Sequence, residues 1–261
     1  MIADPPVRVD RDGSVVVVTL SRPAKANAMD GETTETLLAT LQSLSTRDDV
    51  GAMVLTGQGE VFSAGGDVQT IKEMGQDRTF RDSILGAHQQ LFHVMTRLPF
   101  ASVAAINGAA VGAGLTAALL CDLVVMADTA FLSDPRVSLG LVDGAGGIVL
   151  WPLLTSLSAA KEYLLLGERL GGLEAQRLGL VNRVVPQRDV QVEAIGLANR
   201  LAALPRQASA QMRRLLNVHI DRMGSLLEES ARAEHACFDT DEHRLLLERL
   251  SERLATNTGK P

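Results

Sequence analysis

Three glycine clusters are the part of this sequence best suited to chemistry. They occupy 57–66, 107–114 and 144–147, and each lies beside an apolar stretch. Glycine lets backbone amides approach a ligand without a Cβ atom in the way. Amides at the start of a helix bind phosphate groups or stabilise an oxyanion that develops during a reaction. The clusters therefore predict a site built from backbone amides, for either a phosphate or an oxyanion.

The second cluster also allows a dinucleotide-binding interpretation, since Gly108-x-x-x-Gly112-x-Gly114 is similar to the phosphate loop of short-chain dehydrogenases. That loop normally follows the first strand of its domain, whereas this one lies well inside the chain. Those dehydrogenases also use a Tyr-x-x-x-Lys pair, and Tyr163 is followed four residues later by Gly167. A P-loop lysine and a Gly-x-Ser-x-Gly elbow are missing as well. Hydride transfer, nucleotide hydrolysis and serine hydrolysis are therefore disfavoured.

The elements around these clusters repeat a strand, a glycine loop and a helix. Apolar and β-branched runs predict strands at 15–20, 51–56, 102–106 and 123–127. Helices are predicted at 84–95, at 115–120 and directly after Asp30, which can cap the helix that follows it. Repeated units of this kind indicate an α/β fold with a mostly parallel sheet, in which ligand sites form where strand ends meet helix starts.

The character of the chain changes near residue 190. Amphipathic helices are predicted at 190–204, 206–220 and 225–255, with breaks at Pro205 and Gly224. The chain is therefore divided into a core, 1–190, and a helical C-terminal region, 191–261. The last helix has more apolar surface than a solvated helix needs, so we expect it to dock either on a partner subunit or on the core of its own chain.

Composition excludes several classes of function. The 261 residues include 25 Lys and Arg against 31 Asp and Glu, so the formal net charge is −6 and no basic block is present for nucleic acid. Cys121 and Cys237 form neither a disulfide framework nor a metal-ligand spacing. The apolar stretches are too short to span a membrane, and the start MIADPPVRVDRDG lacks the apolar core of a secretory signal. We expect a cytoplasmic protein without a metal or redox cofactor.

Five longer motifs carry a family resemblance. They are Arg22-Pro23 with Asn27-Ala28-Met29, LTGQGEVFSAGGD at 55–67, AAINGAAVGAGLTAALLCDLVVMA at 104–127, FLSDPRVSLGLVDGAGG at 131–147 and GLVNRVVP at 179–186. In order and spacing they resemble the crotonase, or enoyl-CoA hydratase/isomerase, superfamily. The resemblance implies a crotonase-like spiral core, a helical C-terminal trimerisation region, assembly as a homotrimer or a dimer of trimers, and acyl-CoA substrates. Coenzyme A then enters as part of the thioester substrate, and no separate cofactor is implied.

The resemblance also assigns binding residues. Two backbone amides that polarise the thioester oxygen fall on Ala64 and Ala113, and stabilising an enolate in this way is physically sensible. The family places coenzyme A along a set of residues on two loops. These are Lys25, Ala26, Gly65, Gly66 and Asp67. Lys25 either meets a phosphate or is a solvated loop charge, and Asp67 is also well placed to cap the next helix.

The acid/base residues depart from the family pattern. Hydratases of this family hold water with two glutamates, and those positions are Thr116 and Arg136 here. Neither side chain can act as a carboxylate base, so two-glutamate hydration is disfavoured. Thr116 can position a water by hydrogen bonding or simply pack at a helix start. Arg136 can stabilise an anionic acyl group or pair with a neighbour such as Asp134.

Two other side chains are candidates for the acid/base. Asp143 lies one residue before the position at which similar isomerases carry a loop aspartate, and two before that of the related β-diketone hydrolases. It is interpreted either as the acid/base or as a turn residue. His88 lies on the apolar stripe of its helix, and is either an acid/base or a buried core histidine.

Three hypotheses of function follow. The first is an enoyl-CoA hydratase/isomerase-type enzyme in which Asp143, with Thr116 or His88, moves a proton beside a thioester enolate. The second is a C–C bond hydrolase or decarboxylase of the same fold, with Arg136 binding a substrate carboxylate or stabilising the enolate. The third is a non-catalytic acyl-CoA binding protein, which the loss of both glutamates favours. The acyl group stays open, because its pocket walls come from 70–98 and the C-terminal region.

Overall fold

The computed structural model describes residues 5–257, with side chains described as far as Glu252. The first and last residues of the two predicted regions, 1–4 and 258–261, lie outside the described residues, as does the very start of MIADPPVRVDRDG. The strands within the described range are β1 Val7–Asp12, β2 Val15–Leu20, β3 Ala52–Gly57, β4 Ala101–Ile106, β5 Ala110–Val111, β6 Leu123–Ala127, β7 Phe131–Ser133, β8 Leu170–Gly171 and β9 Arg183–Val185. The four predicted strands are thereby confirmed as β2, β3, β4 and β6.

A six-stranded sheet forms the centre of the fold, in the order β1-β2-β3-β4-β6-β9. β1 runs antiparallel to β2, and every other neighbouring pair in this sheet is parallel. All six residues of each of β2, β3 and β4 are buried, which explains why these strands are apolar throughout rather than alternating. β5, β7 and β8 form a small second sheet. The predicted α/β fold with a mostly parallel sheet is confirmed.

β1 is a strand that the sequence pattern did not predict. Only Val7 of its six residues is buried, and charged residues occupy most of the others. Charged side chains are common on edge strands because they discourage pairing with another chain. The missing apolar pattern is therefore a consequence of the position of β1 at the edge of the sheet.

Helices cover the sheet and build the C-terminal region. They are α1 Gly31–Ser45, α2 Val68–Gln76, α3 Arg78–Thr96, α4 Gly112–Leu119, α5 Gly147–Leu154, α6 Leu157–Leu166, α7 Gly172–Leu178, α8 Val190–Ala202, α9 Arg206–Asp221, α10 Gly224–Cys237 and α11 Asp241–Asn257. Asp30 caps α1 as predicted, since its Oδ1 accepts the backbone N–H of Thr33 at 2.9 Å. In the part of the chain described here, no helix is long and apolar enough to cross a membrane.

The predicted single helix over 225–255 is wrong, because α10 and α11 are separate helices. The chain turns after Cys237, where the N–H of Thr240 donates to the Cys237 carbonyl at 3.1 Å. Thr240 then caps α11 through its Oγ1, which accepts the N–H of His243. Phe238, at the turn, is buried beneath the Arg81 guanidinium. Burying this aromatic ring ends α10 and redirects the chain.

Two glycine loops lie side by side at the end of the parallel strands. Ser63 of the first loop forms a parallel bridge to Ala110 of the second. The second loop was predicted over 107–114, but this range contains β5 and the first turn of α4. α4 therefore begins at Gly112, three residues before the predicted start. The approach is close, because a Cβ atom on Gly114 would lie 2.3 Å from the Ser63 side chain. This packing brings the first and second glycine clusters to one place.

The C-terminal helices dock on the core of their own chain, which was one of the two arrangements left open. α10 packs against α3 and α5, and α11 packs against α2 and the short 3-10 turn Arg136–Leu139. Leu227 and Ala231 of α10 are buried. The C-terminal region therefore closes over the loops that carry the candidate site residues.

Candidate active site

A cavity of about 200 Å³ lies between the glycine loops and the C-terminal helices. The amide-bearing segments 64–66 and 111–113 form one end of it. The remaining wall is mostly apolar, with side chains from α2, α3, α10 and the loop after β7. These are Ile71, Met74, Ile84, Leu85, Leu139, Leu141 and Phe238. Among the described residues, four polar side chains also line the cavity, namely Thr70, His88, Arg136 and Glu234.

The structure brings both predicted oxyanion positions to this cavity. Ala113 is the second residue of α4, so its N–H belongs to the first turn, whose amides have no acceptor within the helix. The positive end of the helix dipole lies at the same place. The Ala64 N–H donates to the Ala26 carbonyl at 2.9 Å in this ligand-free state. One amide is thus free of helical bonds, while the other is held by a neighbouring carbonyl.

The segment that holds Ala64 is itself firmly placed. Ala26 and Asn27 both adopt left-handed backbone conformations, with φ of 48° and 52°. The Asn27 side chain accounts for this, because its Nδ2 donates to the carbonyls of Gln58 and Val61 and its Oδ1 accepts the Arg22 N–H. These bonds tie the loop before α1 to the first glycine loop.

The residues predicted along coenzyme A are divided between the cavity and the surface. Gly65, with φ of 84°, and Gly66 line the cavity. Lys25 is exposed in a short 3-10 turn. Asp67 caps α2, since its Oδ1 accepts the Gln69 N–H at 2.7 Å, and this capping role is confirmed. Contact with coenzyme A stays a prediction for all of these residues.

Thr116 lies inside α4 rather than on the cavity surface. Its Oγ1 donates to the Gly112 carbonyl at 3.2 Å, and its side chain is buried. This is the packing arrangement that the sequence left open. The structure does not bring the Thr116 hydroxyl together with the other polar groups of the cavity.

Arg136 is the centre of a buried ionic cluster. Its Nη1 lies 2.6 Å from Asp134 Oδ2 and 2.7 Å from Asp143 Oδ1, and its Nε lies 3.8 Å from Glu234 Oε1. The predicted pair with Asp134 is therefore confirmed, and two further carboxyl groups join it. The Arg136 side chain is 13% exposed and those of the three acids are less so. One cation thus faces three carboxyl groups in a largely buried cluster.

Burial controls the protonation of this cluster. It raises the pKa of Asp134 to about 7, although the Arg136 charge opposes the rise and Asp143 adds to it. Burial likewise raises the pKa of Glu234 to about 7, again against Arg136 and with Asp143 and Asp134 adding to it. Burial alone would lower the pKa of Arg136, but its three acidic neighbours outweigh this and raise it. Asp134 and Glu234 therefore exchange protons near neutral pH while the guanidinium stays charged.

Asp143 lies behind Arg136 and is not among the residues that line the cavity. Its Oδ1 accepts the Ala145 N–H at 2.9 Å in addition to the Arg136 contact. Its Oδ2 is buried and has no hydrogen-bond partner among the described residues. Asp143 thus has the backbone contact of a turn residue, and its role as an acid/base stays a prediction.

Glu234 is a functional candidate that the sequence argument missed. Its Oε2 accepts the Gly144 N–H at 3.0 Å, across 90 positions of the chain. The sequence holds one signal that could have found it, because Leu227, Ala231 and Glu234 follow one another at helical spacing along α10, and Phe238 at its C-terminal end continues the spacing. A glutamate on an otherwise apolar stripe is costly to bury unless it is paired or protonated.

His88 lines the cavity from α3. Its Nε2 is buried, and none of the described residues hydrogen-bonds to it. Burial, together with the Arg136 charge, lowers the pKa of His88 to about 4, so the imidazole is neutral at neutral pH. The ring can therefore accept or donate one hydrogen bond within the cavity, according to its tautomer.

A parallel core with two abutting amide loops, a small apolar cavity and a helical C-terminal cover defines the class of acyl-thioester enzymes to which the motifs pointed. The family model described as enoyl-CoA hydratase/isomerase matches residues 10–256. The chain therefore belongs to the enoyl-CoA hydratase/isomerase family, within the crotonase superfamily, and it is an enzyme of that family.

Individual relatives agree with this assignment. The chain is 30% identical to the short-chain-enoyl-CoA hydratase of Clostridium acetobutylicum, over 91% of each chain. It is 37% identical to 4-chlorobenzoyl coenzyme A dehalogenase-1 of Arthrobacter sp, over 78% of this chain and 74% of the relative. An enoyl-CoA hydratase/isomerase structure from Mycobacterium paratuberculosis superimposes with a TM-score of 0.91 at 36% identity, covering 95% of this chain and all of that one.

Proposed function

We propose that this protein acts on acyl-CoA thioesters by stabilising a thioester enolate, and that it moves a proton along the acyl chain rather than adding water. The observation that carries the proposal is the shared cavity, in which amides at one end face a buried carboxyl group and a neutral histidine. Relatives named as a hydratase and a coenzyme A dehalogenase support the acyl-CoA class of substrate. Coenzyme A is then part of the substrate.

Enolate stabilisation is assigned to Ala64 and Ala113. A thioester oxygen placed between these residues would accept the Ala113 N–H and would take the Ala64 N–H from the Ala26 carbonyl. Such donors strengthen as negative charge develops on the oxygen, and loss of one of them lowers turnover by about 10²–10³-fold in comparable sites.

Proton transfer is favoured over hydration because Thr116 and Arg136 occupy the two positions at which the family pattern requires glutamates. Thr116 donates its hydroxyl proton within α4, and Arg136 is held by carboxyl groups. Neither is free to activate a water. One carboxyl group that accepts a proton and returns it is sufficient for migration of a double bond.

C–C bond hydrolysis or decarboxylation is the less favoured alternative. That chemistry uses Arg136 to bind a substrate carboxylate or stabilise an enolate, but its Nη1 already contacts Asp134 and Asp143. Adding a fourth anion to a buried site with one cation is electrostatically unfavourable.

A substrate screen tests the proposal. The purified protein is incubated with crotonyl-CoA, 3-enoyl-CoAs, 4-chlorobenzoyl-CoA and free coenzyme A, with products followed by mass spectrometry and chromatography and binding followed by thermal shift. We expect interconversion of 3-enoyl-CoA and 2-enoyl-CoA. Efficient addition of water would overturn the preference for isomerisation and keep the substrate class. Absence of binding to every acyl-CoA would overturn the proposal itself.

A further inference from the structure

Among the described residues, one carboxyl group lines the cavity, and that group comes from the C-terminal helices. Glu234 of α10 lines the cavity together with Ala113 and His88, whereas Asp134 and Asp143 do not. We propose that Glu234 is the catalytic acid/base, taking a proton from the acyl chain and returning it to another carbon. This inference rests on the proposed function and names the residue that carries it out.

The two carboxyl oxygens of Glu234 have different surroundings. Oε2 accepts the Gly144 N–H at 3.0 Å, which fixes the orientation of the carboxyl group. Oε1 has a longer ionic contact, 3.8 Å from Arg136 Nε, which is beyond hydrogen-bonding distance. One oxygen is thus anchored to a backbone amide, and the other is left to face a substrate.

Gly144 makes room for this carboxyl group. A Cβ atom on Gly144 would lie 2.4 Å from Glu234 Oε2 and 2.9 Å from the Ala231 Cα. The loop therefore reaches α10 only because residue 144 lacks a side chain. The space at this end of the loop is occupied by a carboxyl group delivered from the helix.

The charged surroundings suit a group that must both accept and donate a proton. The loop after β7 places Arg136, Asp134 and Asp143 around Glu234, and α3 places His88 on the same cavity. With three carboxyl groups around one guanidinium, full ionisation leaves an excess of negative charge, which favours a bound proton. The pKa of Glu234 of about 7 agrees with this, because both of its forms are populated near neutral pH.

The proposed step conserves all atoms. The Glu234 carboxylate takes a proton from a carbon of the acyl chain, and the electron pair of that C–H bond moves through the conjugated system onto the thioester oxygen. The resulting enolate is held by the amides of Ala64 and Ala113. The protonated Glu234 then returns its proton to a different carbon of the chain while the thioester carbonyl re-forms.

Deuterium exchange tests this assignment. Wild type, Glu234→Gln and Glu229→Gln are each incubated with crotonyl-CoA in D₂O, and deuterium incorporation into the acyl group is followed by mass spectrometry. Glu229 is an exposed glutamate on the same helix and serves as the matched control. We expect exchange in wild type and in Glu229→Gln, and a loss of about 10²–10⁴-fold in Glu234→Gln. The thermal shift on binding crotonyl-CoA should be the same in all three proteins.

The outcomes separate the two proposals. Exchange in Glu234→Gln within about fivefold of wild type would overturn the assignment of Glu234 and leave the proposed function standing. Wild type that binds crotonyl-CoA without exchanging any proton would overturn the enolate chemistry, and the Glu234 assignment with it.

A second variant covers the case in which Glu234→Gln disturbs folding or binding. Glu234→Asp keeps the acid on a shorter side chain, so we expect it to exchange faster than Glu234→Gln and more slowly than wild type. In wild type we expect the exchange rate to rise with pH around pH 7, as Glu234 loses its proton. The exchange rate of Glu234→Asp should show the same rise, centred at a different pH. Exchange in Glu234→Asp no faster than in Glu234→Gln would overturn the proposal.

Discussion

A single guanidinium holds three buried carboxyl groups together at one end of the cavity. Arg136 contacts Asp134 and Asp143 directly and Glu234 more distantly. Isolated charges are costly to bury, and each of these acids depends on Arg136 or on an added proton to remain inside the protein. Arg136 therefore creates the conditions under which a carboxyl group from α10 can be buried beside the cavity.

The Arg136→Met substitution tests this dependence. Methionine fills a similar space without charge, so the three acids lose their shared cation. We expect a loss of about 3–5 kcal/mol in the free energy of unfolding near pH 8. We expect a smaller loss near pH 5.5, because the acids whose pKa is raised to about 7 then carry protons.

The sign of this pH dependence follows from the direction in which the pKa values of Asp134 and Glu234 are shifted. A carboxyl group whose pKa is raised by folding stabilises the protein at low pH, and this contribution is lost as the pH rises through about 7. Urea unfolding at both pH values measures the effect, with Arg232→Met, an exposed arginine on α10, as the control. An equal loss at the two pH values would contradict the explanation.

The contact between a loop and a helix is decisive at the scale of elements. α10 lies against the third glycine cluster, and the Gly144 N–H reaches the Glu234 carboxyl group. Neither the third glycine cluster nor α10 forms the candidate site without the other. The free amides of α4 and the carboxyl group of α10 are brought to one cavity by two close approaches, and glycine is needed in both of them.

We expect Gly144→Ala to destabilise the protein by about 1–3 kcal/mol, because the added methyl group meets the backbone of α10 as well as the Glu234 side chain. Gly86→Ala is the matched control. Gly86 lies within α3, where a Cβ atom would meet nothing within 4 Å, so alanine there should stabilise by about 0.5–1 kcal/mol. Thermal unfolding of the two variants measures the difference. Equal stability of Gly144→Ala and wild type would show that the loop can move away from α10.

The sequence predicted the elements that local pattern determines. Apolar runs located β2, β3, β4 and β6, and the glycine clusters located the amide loops that carry Ala64 and Ala113. β1 was missed because five of its six residues are exposed and most of these are charged. α10 and α11 were merged because the turn at Phe238 is stabilised by burial of its ring rather than by glycine or proline. Local pattern therefore predicted the glycine loops that line the cavity, whereas the roles of Ala64 and Ala113 came from the family resemblance and stay predictions.

The acid/base half depended on a contact distant in sequence. Glu234 is 90 positions from Gly144, and whether a glutamate on α10 is solvated or buried depends on the helix against which it packs. The expectation for Asp143 came from alignment with family positions one and two residues later. An offset of one residue in a turn changes the direction of a side chain, and here Asp143 contacts Arg136 behind the cavity wall.

At the scale of the whole molecule, the C-terminal region contributes to the site as well as to the surface. α10 provides Glu234 to the cavity, the turn after it provides Phe238, and α11 covers the turn that begins at Arg136. A helical region with only an assembly role would be expected to leave the core site complete without it. In this chain, removal of α10 would open the cavity and expose the ionic cluster to water.

The outer surface of this region bears on assembly. Met212, Leu215 and Leu216 of α9 are each more than half exposed in the single chain, and Leu204 and Leu157 lie exposed on neighbouring segments. An apolar groove of about 540 Å³ runs beside them between α9 and α5. Exposed apolar surface of this extent is typical of protein interfaces. We propose that this face is buried when the chain forms a homotrimer or a dimer of trimers.

Leu216→Glu tests the proposed assembly. Leu216 is 61% exposed in the isolated chain, so a glutamate there costs little in the monomer. In an apolar interface the same charge would be desolvated without a partner, which costs several kcal/mol per subunit and favours dissociation.

We therefore expect wild type to have the mass of three or six chains by light scattering. Leu216→Glu should shift toward the mass of one chain, with its fold retained by circular dichroism. Gln207→Glu places the same charge on the side of α9 opposite Leu216 and should leave the mass unchanged. A monomeric wild type would contradict the assembly, and unchanged mass in Leu216→Glu would place the interface elsewhere on the molecule.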